Sequence, residues 1–180
     1  QQLAEKVKIA ELASRFLRPS STYFFDSSST SAVLASCLTK YPDVKIATNG
    51  VDIIANMSSS PKLSILSCGG YLRSPWGELT GNIAIKSIEG MYADVFFFSC
   101  AGFTQEQGAM EFSDENVAVK RAFYRNSKLH IVLCDSTKFG KQYFFNLFTL
   151  HEIDYIVTDK RPVNSALKEL LGDRLIYPED

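Results

Sequence analysis

Short apolar runs alternate along this chain with stretches in which apolar residues recur about one helical turn apart. Residues 23–25, 44–47, 63–66, 95–98, 129–133 and 155–157 read as strands, and 175–177 as a last edge strand. Helical spacing follows most of them: Val33, Leu34, Cys37 and Leu38 after the first, then residues 51–57, 82–91, 113–126 and 163–171. Ser113 is placed to cap the 113–126 helix, with Glu115 and Asn116 in its first turn. Ahead of the first strand, residues 3–17 carry an amphipathic stripe of Leu3, Val7, Ala10, Ala13 or Ser14, and Leu17, which Pro19 ends. Residues 74–81 and 104–112 read as loops, and the aromatic-rich 143–150 fits either a strand or a loop. The alternation predicts an α/β fold, a mostly parallel sheet flanked by helices on both faces. Residues 1–18 form a linker or packing helix in this reading, and 19–180 the domain proper.

In such a sheet, ligands bind outside the carboxyl ends of the strands. Asp26, Thr48 with Asn49, Gly69 with Gly70, Gly102, and Asp135 through Lys138 each stand where a predicted strand has just ended. Five loops then share one edge, and their polar residues converge on one crevice. The first loop carries Asp26 and five consecutive hydroxyl residues, Ser27, Ser28, Ser29, Thr30 and Ser31, before a helix begins. Helix N-termini attract phosphate or carboxylate. A hydroxyl there can also be a simple cap, but a cap needs one such residue rather than five. The Gly69-Gly70 pair is either a turn or a place where backbone approaches a ligand. Lys138 beside Asp135 is either a solvated lysine near a capping aspartate or a phosphate-binding cation beside a carboxylate that accepts sugar hydroxyls. Arg73 is either a surface residue or a second cation.

Composition narrows the function classes. With 180 residues, 46% hydrophobic and 22% charged, the chain suits one globular domain with a substantial core. A net charge of −1 and a pI near 6.2 leave no basic stripe for nucleic acid. No apolar run approaches a membrane span, and no signal peptide is visible. Cys37, Cys68, Cys100 and Cys134 form no CxxC pair, and His130 and His151 lie far apart, so neither a metal nor a cofactor is expected. Three of the cysteines close apolar runs, as reduced thiols in a cytoplasmic setting would. No GxGxxG follows a strand and no GxxxxGK[ST] occurs, which disfavours dinucleotide and Walker-type sites.

The ordered set DSSST, TNG, GGYLR, ADVFFFSCAGF, DSTKFG and IDYIVTD resembles the C-terminal effector-sensing domain of DeoR-type bacterial transcriptional regulators, over about residues 14–171. The resemblance implies a fold similar to ribose-5-phosphate isomerase and the coenzyme A transferase group. It implies a phosphorylated sugar effector, self-association to a dimer or tetramer, and operator DNA bound only through a winged helix-turn-helix domain ahead of this one. A chain that starts Gln1-Gln2 without methionine fits a fragment of such a regulator. Carried onto these positions, Asp26 to Thr30 form the first ligand loop, Thr48 and Asn49 the second, Gly69 and Gly70 the third, and Lys138 with Asp135 the last. One departure stands out: the family usually has glycine where this chain has Ser28, which would be strained if the backbone there needs positive φ.

The rival reading is an active sugar-phosphate isomerase, which needs a carboxylate base over the sugar carbon. In the related isomerase an acidic cluster follows the strand that corresponds to residues 95–98. Here that place reads Ser99-Cys100-Ala101-Gly102-Phe103, with Glu106, Glu111 and Asp114 farther on. The missing acid favours a sensor over an enzyme.

Overall fold

The apolar runs pair side by side. The computed structural model describes residues 2–179. In chain order the elements are α1 (Leu3–Ala13), β1 (Thr22–Phe25), α2 (Ser29–Ser36), β2 (Val44–Thr48), α3 (Val51–Met57), β3 (Leu63–Ser67), β4 (Tyr71–Arg73) and β5 (Glu78–Thr80). There follow α4 (Asn82–Glu89), β6 (Ala93–Phe98), β7 (Gly102–Thr104), β8 (Gly108–Glu111), α5 (Asp114–Arg125) and β9 (Ser127–Leu133). The chain ends with β10 (Phe145–Phe148), β11 (Tyr155–Val157), α6 (Ser165–Leu171) and β12 (Leu175–Ile176). Seven strands form one sheet in the order β12-β11-β9-β6-β1-β2-β3, and every neighbouring pair is parallel.

Alternation along each strand explains the two-faced cover. Tyr23 and Phe25 point with Val95 and Phe97 to one face, where they pack with Ile9, Ala13 and Leu34 from α1 and α2. Phe24, Phe96 and Phe98 point to the other, against Ala84, Ile88, Phe123 and Phe148. The rings interlock: Phe25 and Phe97 stack at 5.3 Å, and Phe24 meets Phe123 at 4.9 Å. A sheet buried on both sides therefore reads as an unbroken apolar run at Phe96-Phe97-Phe98.

Strand order sets the site. From β1 the chain steps outward to β2 and β3, then returns to the other side of β1 as β6 and runs outward through β9, β11 and β12. The direction of winding reverses between β1 and β6. Crevices in parallel sheets open at such a reversal. The loops after β1 and β6 therefore matter more than the other three.

Several expectations need correction. The 104–112 loop is instead the β7–β8 hairpin, which joins β10 in a separate antiparallel sheet. Its glycines misled: a Cβ on Gly102 would lie 2.3 Å from the Lys141 carbonyl oxygen, and one on Gly108 would lie 2.2 Å from that of Phe148. They mark close backbone approach inside a sheet, not a loop. The 74–81 loop likewise contains β5, paired antiparallel with β4. On α1 the buried residues are Ile9, Ala10 and Ala13, whereas Leu3 and Val7 are exposed. The ambiguous 143–150 stretch holds β10, with Leu147 and Phe148 in the core and Tyr143 and Phe144 outside. Because Phe97 is fully buried, Phe97→Ala is expected to cost about 3–5 kcal/mol, read as a lower denaturant midpoint in chemical unfolding.

Candidate functional site

At the reversal of winding, Asp26 caps the end of β1 without leaving the sheet. Its backbone N–H still donates to Phe97 O, and its carboxylate is buried. Oδ1 accepts from the hydroxyls of Ser28 at 2.6 Å and Ser31 at 2.5 Å. Oδ2 accepts from the Ser99 N–H at 2.9 Å, across the mouth between β1 and β6. Part of the hydroxyl run thus serves to hold Asp26. Ser28 is also the N-cap of α2, accepting from the Ser31 N–H at 3.2 Å. Its φ is −68°, so serine in place of the family's usual glycine carries no backbone strain here.

Lys120 is the group that sequence reasoning missed. Its ammonium is buried and 3.1 Å from Asp26 Oδ2; it donates to Glu111 Oε1 at 2.6 Å and to Ser99 O at 2.7 Å. An ammonium has three protons, and all three are engaged. Burial alone would depress the Lys120 pKa, but Glu111 and Asp26 outweigh it and hold the value above the ordinary one. Burial would likewise raise Asp26, yet Lys120 and the three hydrogen bonds from Ser28, Ser31 and Ser99 hold it below the ordinary value of 3.8. A sign was available. The buried stripe of α5 is Asn116, Val119, Lys120 and Phe123, which puts a lysine at a core position.

A second knot comes from the β4–β5 hairpin. Glu78 is buried and accepts from Arg73 at 2.9 Å, Ser27 Oγ at 3.2 Å and Asn116 Nδ2 at 2.9 Å. Burial raises its pKa above the ordinary carboxylate range despite the cations Arg73 and Lys120. Arg73 donates onward to Ser113 Oγ at 2.5 Å and pairs with Glu115 at 3.1 Å, and its guanidinium lies 5.0 Å from the Trp76 ring centre.

These groups surround a crevice of about 430 Å³. Of the residues expected from sequence, Asp26, Ser27, Ser28, Ser29 and Lys138 line it. Lys138 donates to Ser99 Oγ at 2.7 Å and stands 3.6 Å from Asp135 Oδ2. Also on the lining are Asp52, Trp76, Glu78, Glu111, Phe112, Asn116 and Tyr143, besides Lys120.

The other expected residues stand behind it. Thr30 is buried in the first turn of α2. Thr48 Oγ1 accepts from the Gly50 N–H, and Asn49 donates to Leu79 O at 3.1 Å while its own carbonyl accepts from the Leu79 N–H. This second loop thereby holds the hairpin that delivers Glu78. Gly70 has φ +110°, and a Cβ there would lie 2.3 Å from Thr80 O, so it shapes the entry to the same hairpin beside Gly69. Gly102 packs under residue 141, Asp135 caps the turn ahead of Lys138 by accepting from the Thr137 N–H, and Arg73 works through Glu78. A larger cleft of about 770 Å³ lies between Phe103, Phe139 and residues 160–167, with a mostly apolar lining and no comparable knot of buried charge. Among the described residues no group of three or more His, Cys, Asp or Glu could hold a metal, and no helix is long and apolar enough to cross a membrane. All four cysteines are free, and burial pushes the Cys68 thiol up to about 12.

Comparison with known proteins identifies the family and the fold. The sequence model of the family described as the DeoR C terminal sensor domain matches residues 1–160. The chain is 28% identical over 173 residues to the HTH-type transcriptional regulator GolR of Listeria innocua, covering 96% of this chain and 68% of that protein. It is 27% identical over 169 residues to the glycerol-3-phosphate regulon repressor of Escherichia coli (94% and 67% covered), and 29% identical over 167 residues to the HTH-type transcriptional repressor GlcR of Bacillus subtilis (93% and 64%). Among solved structures, ribose 5-phosphate isomerase A from Methanocaldococcus jannaschii aligns with a TM-score of 0.57 at 11% identity, covering 79% of this chain and 56% of that one. The delta subunit of eIF2B from Chaetomium thermophilum aligns with a TM-score of 0.62 at 11% identity, covering 86% and 55%. At such identity these structures speak for the fold alone, and the chain spans little more than half of either.

The buried triad generates a prediction. Asp26 is held low, so its contribution to stability is present above about pH 4 and is lost as pH falls through its folded value. Lys120 is held high, so its contribution persists up to the ordinary lysine value and is lost only as pH climbs through the folded one. The triad is therefore intact across neutral pH. Lys120→Met leaves Asp26 and Glu111 buried without their cation and is expected to cost about 3–5 kcal/mol at pH 7. Part of that loss should return as the pH is lowered and Asp26, without its cation, gains a proton, read from unfolding midpoints along a descending pH series.

Proposed function

The chain belongs to the family of DeoR C-terminal sensor domains, and on that premise we propose that the β1–β6 crevice binds a phosphorylated sugar or related metabolite as a regulatory effector. Relatives named as transcriptional regulators and repressors place it in a regulatory family rather than among enzymes. The observation that carries the ligand reading is the division of charge within the crevice. Lys120 is saturated by Asp26, Glu111 and the Ser99 carbonyl, whereas Lys138 has Ser99 Oγ at 2.7 Å and only a long approach to Asp135. Lys138, with the Ser29 hydroxyl and the N-terminus of α2, is the end suited to a phosphate. Glu78, Glu111 and Asp52 are acceptors suited to sugar hydroxyls. In this reading Asp26, Ser28, Thr30, Thr48, Asn49, Gly69, Gly70, Gly102, Asp135 and Arg73 shape and position the walls.

An isomerase reading needs a free base, and Glu111 is the buried carboxylate that would serve. Its Oε1 is bound to Lys120 at 2.6 Å, which favours a structural part for it. Effector binding would then act by population shift, favouring a quaternary arrangement in which the DNA-binding domains of the full regulator no longer match the operator. Self-association to a dimer or tetramer would use apolar surface such as Phe144, 87% exposed, and the Leu3–Val7 side of α1.

Two measurements test this. Sugar phosphates, and not the corresponding free sugars, should raise the thermal midpoint of the chain; no shift across aldose, ketose and glycerol phosphates would contradict the reading. Lys138→Ala should weaken the phosphorylated ligand by about tenfold or more, since a charge-assisted contact is worth roughly 1.5–3 kcal/mol. Unchanged affinity by calorimetric titration would remove Lys138 from the site.

A further inference from the structure

The crevice has an apolar component besides its charges. Trp76 stands between β4 and β5, Phe112 directly after β8, and Tyr143 ahead of β10. All three side chains line the crevice, and the residues are 54%, 48% and 38% exposed. The ring centres of Trp76 and Phe112 are 6.3 Å apart, and those of Phe112 and Tyr143 are 6.4 Å apart. Three separate segments thus bring their rings into one continuous row. Trp76 is steadied by the Arg73 guanidinium, 5.0 Å from its centre, which Glu78 and Glu115 hold in turn.

Apart from this row, Cys100 and Ala101, every residue on the lining is polar. Aromatic carbon open to water gains from an occupant that covers it. The rest of the lining limits what that occupant is. Four carboxylates, Asp26, Asp52, Glu78 and Glu111, stand against Lys120, Lys138 and the nearby Arg73. Lys120 is already engaged by Asp26 and Glu111, so the crevice suits one anionic group, placed at Lys138. The remainder of the ligand is neutral, supplies hydrogen-bond donors to carboxylates, and is apolar where it meets the rings. A closed sugar ring has that distribution. Its hydroxyls lie around the edge, and its weakly positive C–H groups suit the negative faces of aromatic rings. A short open-chain polyol phosphate has the hydroxyls but no such face.

We propose that Trp76, Phe112 and Tyr143 form a stacking platform that selects a sugar phosphate in its ring form, with the phosphate toward Lys138. The assignment deepens the effector reading above and rests on it. It makes Phe112, the middle ring of the row, a specificity-determining residue.

The test is calorimetric titration of the chain and its Phe112→Ala variant with inorganic phosphate, glycerol 3-phosphate, ribose 5-phosphate, glucose 6-phosphate, fructose 6-phosphate and adenosine monophosphate. One of the ring sugar phosphates should bind the chain more tightly than glycerol 3-phosphate does. Phe112→Ala should weaken that probe about three- to tenfold, the value of one aromatic contact, and leave inorganic phosphate and glycerol 3-phosphate unchanged. Phe112→Tyr, which keeps the ring, should restore the affinity. Unchanged affinity of Phe112→Ala for the ring probe would overturn the platform and leave the effector reading standing. So would glycerol 3-phosphate binding as tightly as any ring sugar. An equal loss for inorganic phosphate would overturn it as general damage to the crevice. Adenosine monophosphate binding more tightly than the sugars would overturn it in favour of a nucleobase. A smaller assembly of the variant by light scattering, with affinity unchanged, would overturn it in favour of contact between copies. A chain that binds none of the probes contradicts the effector reading, and this assignment with it. Should Phe112→Ala not unfold cooperatively, Tyr143→Ala replaces it, with the same selective loss expected.

Discussion

The crevice depends on one buried ammonium. Lys120 joins β1 through Asp26, β6 through the Ser99 carbonyl, and β8 through Glu111. Strand β1 is thereby fixed to β6 and β8, some seventy residues or more farther along the chain, around the reversal of strand winding. The arrangement carries a chemical consequence as well as a structural one. An amine with every proton engaged is not available to a ligand, so the obvious cation of the site is its scaffold. The job of meeting an anion passes to Lys138, which reaches in from the loop after β9 with its side chain only partly buried.

The acidic groups divide in the same way. Asp26 is encircled by two serine hydroxyls, two backbone N–H groups and Lys120, so its charge is absorbed by the protein. Glu78 is held less completely, and burial shifts it toward its neutral form. It also accepts from Asn116 Nδ2, which ties the first turn of α5 to the β4–β5 hairpin.

Much of this was legible in the sequence, and the exceptions share a cause. The parallel sheet showed itself because strands buried on both faces read as unbroken apolar runs, as at Phe96-Phe97-Phe98. The first loop and Lys138 showed themselves because polar residues just after such runs fall on one edge of the sheet. The sequence does not order the strands, however, so all five loops looked equivalent. In the fold β3 is two strands from the reversal, and Gly69 and Gly70 shape a hairpin instead of facing the crevice. The β7–β8 hairpin was hidden because its partner β10 lies some 35 residues onward and its glycines mimic a loop. Ser28 would have strained its turn had the backbone there needed positive φ, yet as an N-cap with φ −68° it sits in ordinary backbone. Lys120 and Asn116 were hidden because a polar residue on a helix normally faces solvent; only their place on the buried stripe of α5 gives them away.

The most direct measurement is a crystal structure of the chain grown with whichever sugar phosphate raises its thermal midpoint. The account predicts density in the crevice between β1 and β6, with the phosphate within hydrogen-bond distance of Lys138 Nζ and the Ser27–Ser29 loop. Density for the ligand in the cleft between Phe103, Phe139 and residues 160–167, with the crevice holding only water, would contradict it.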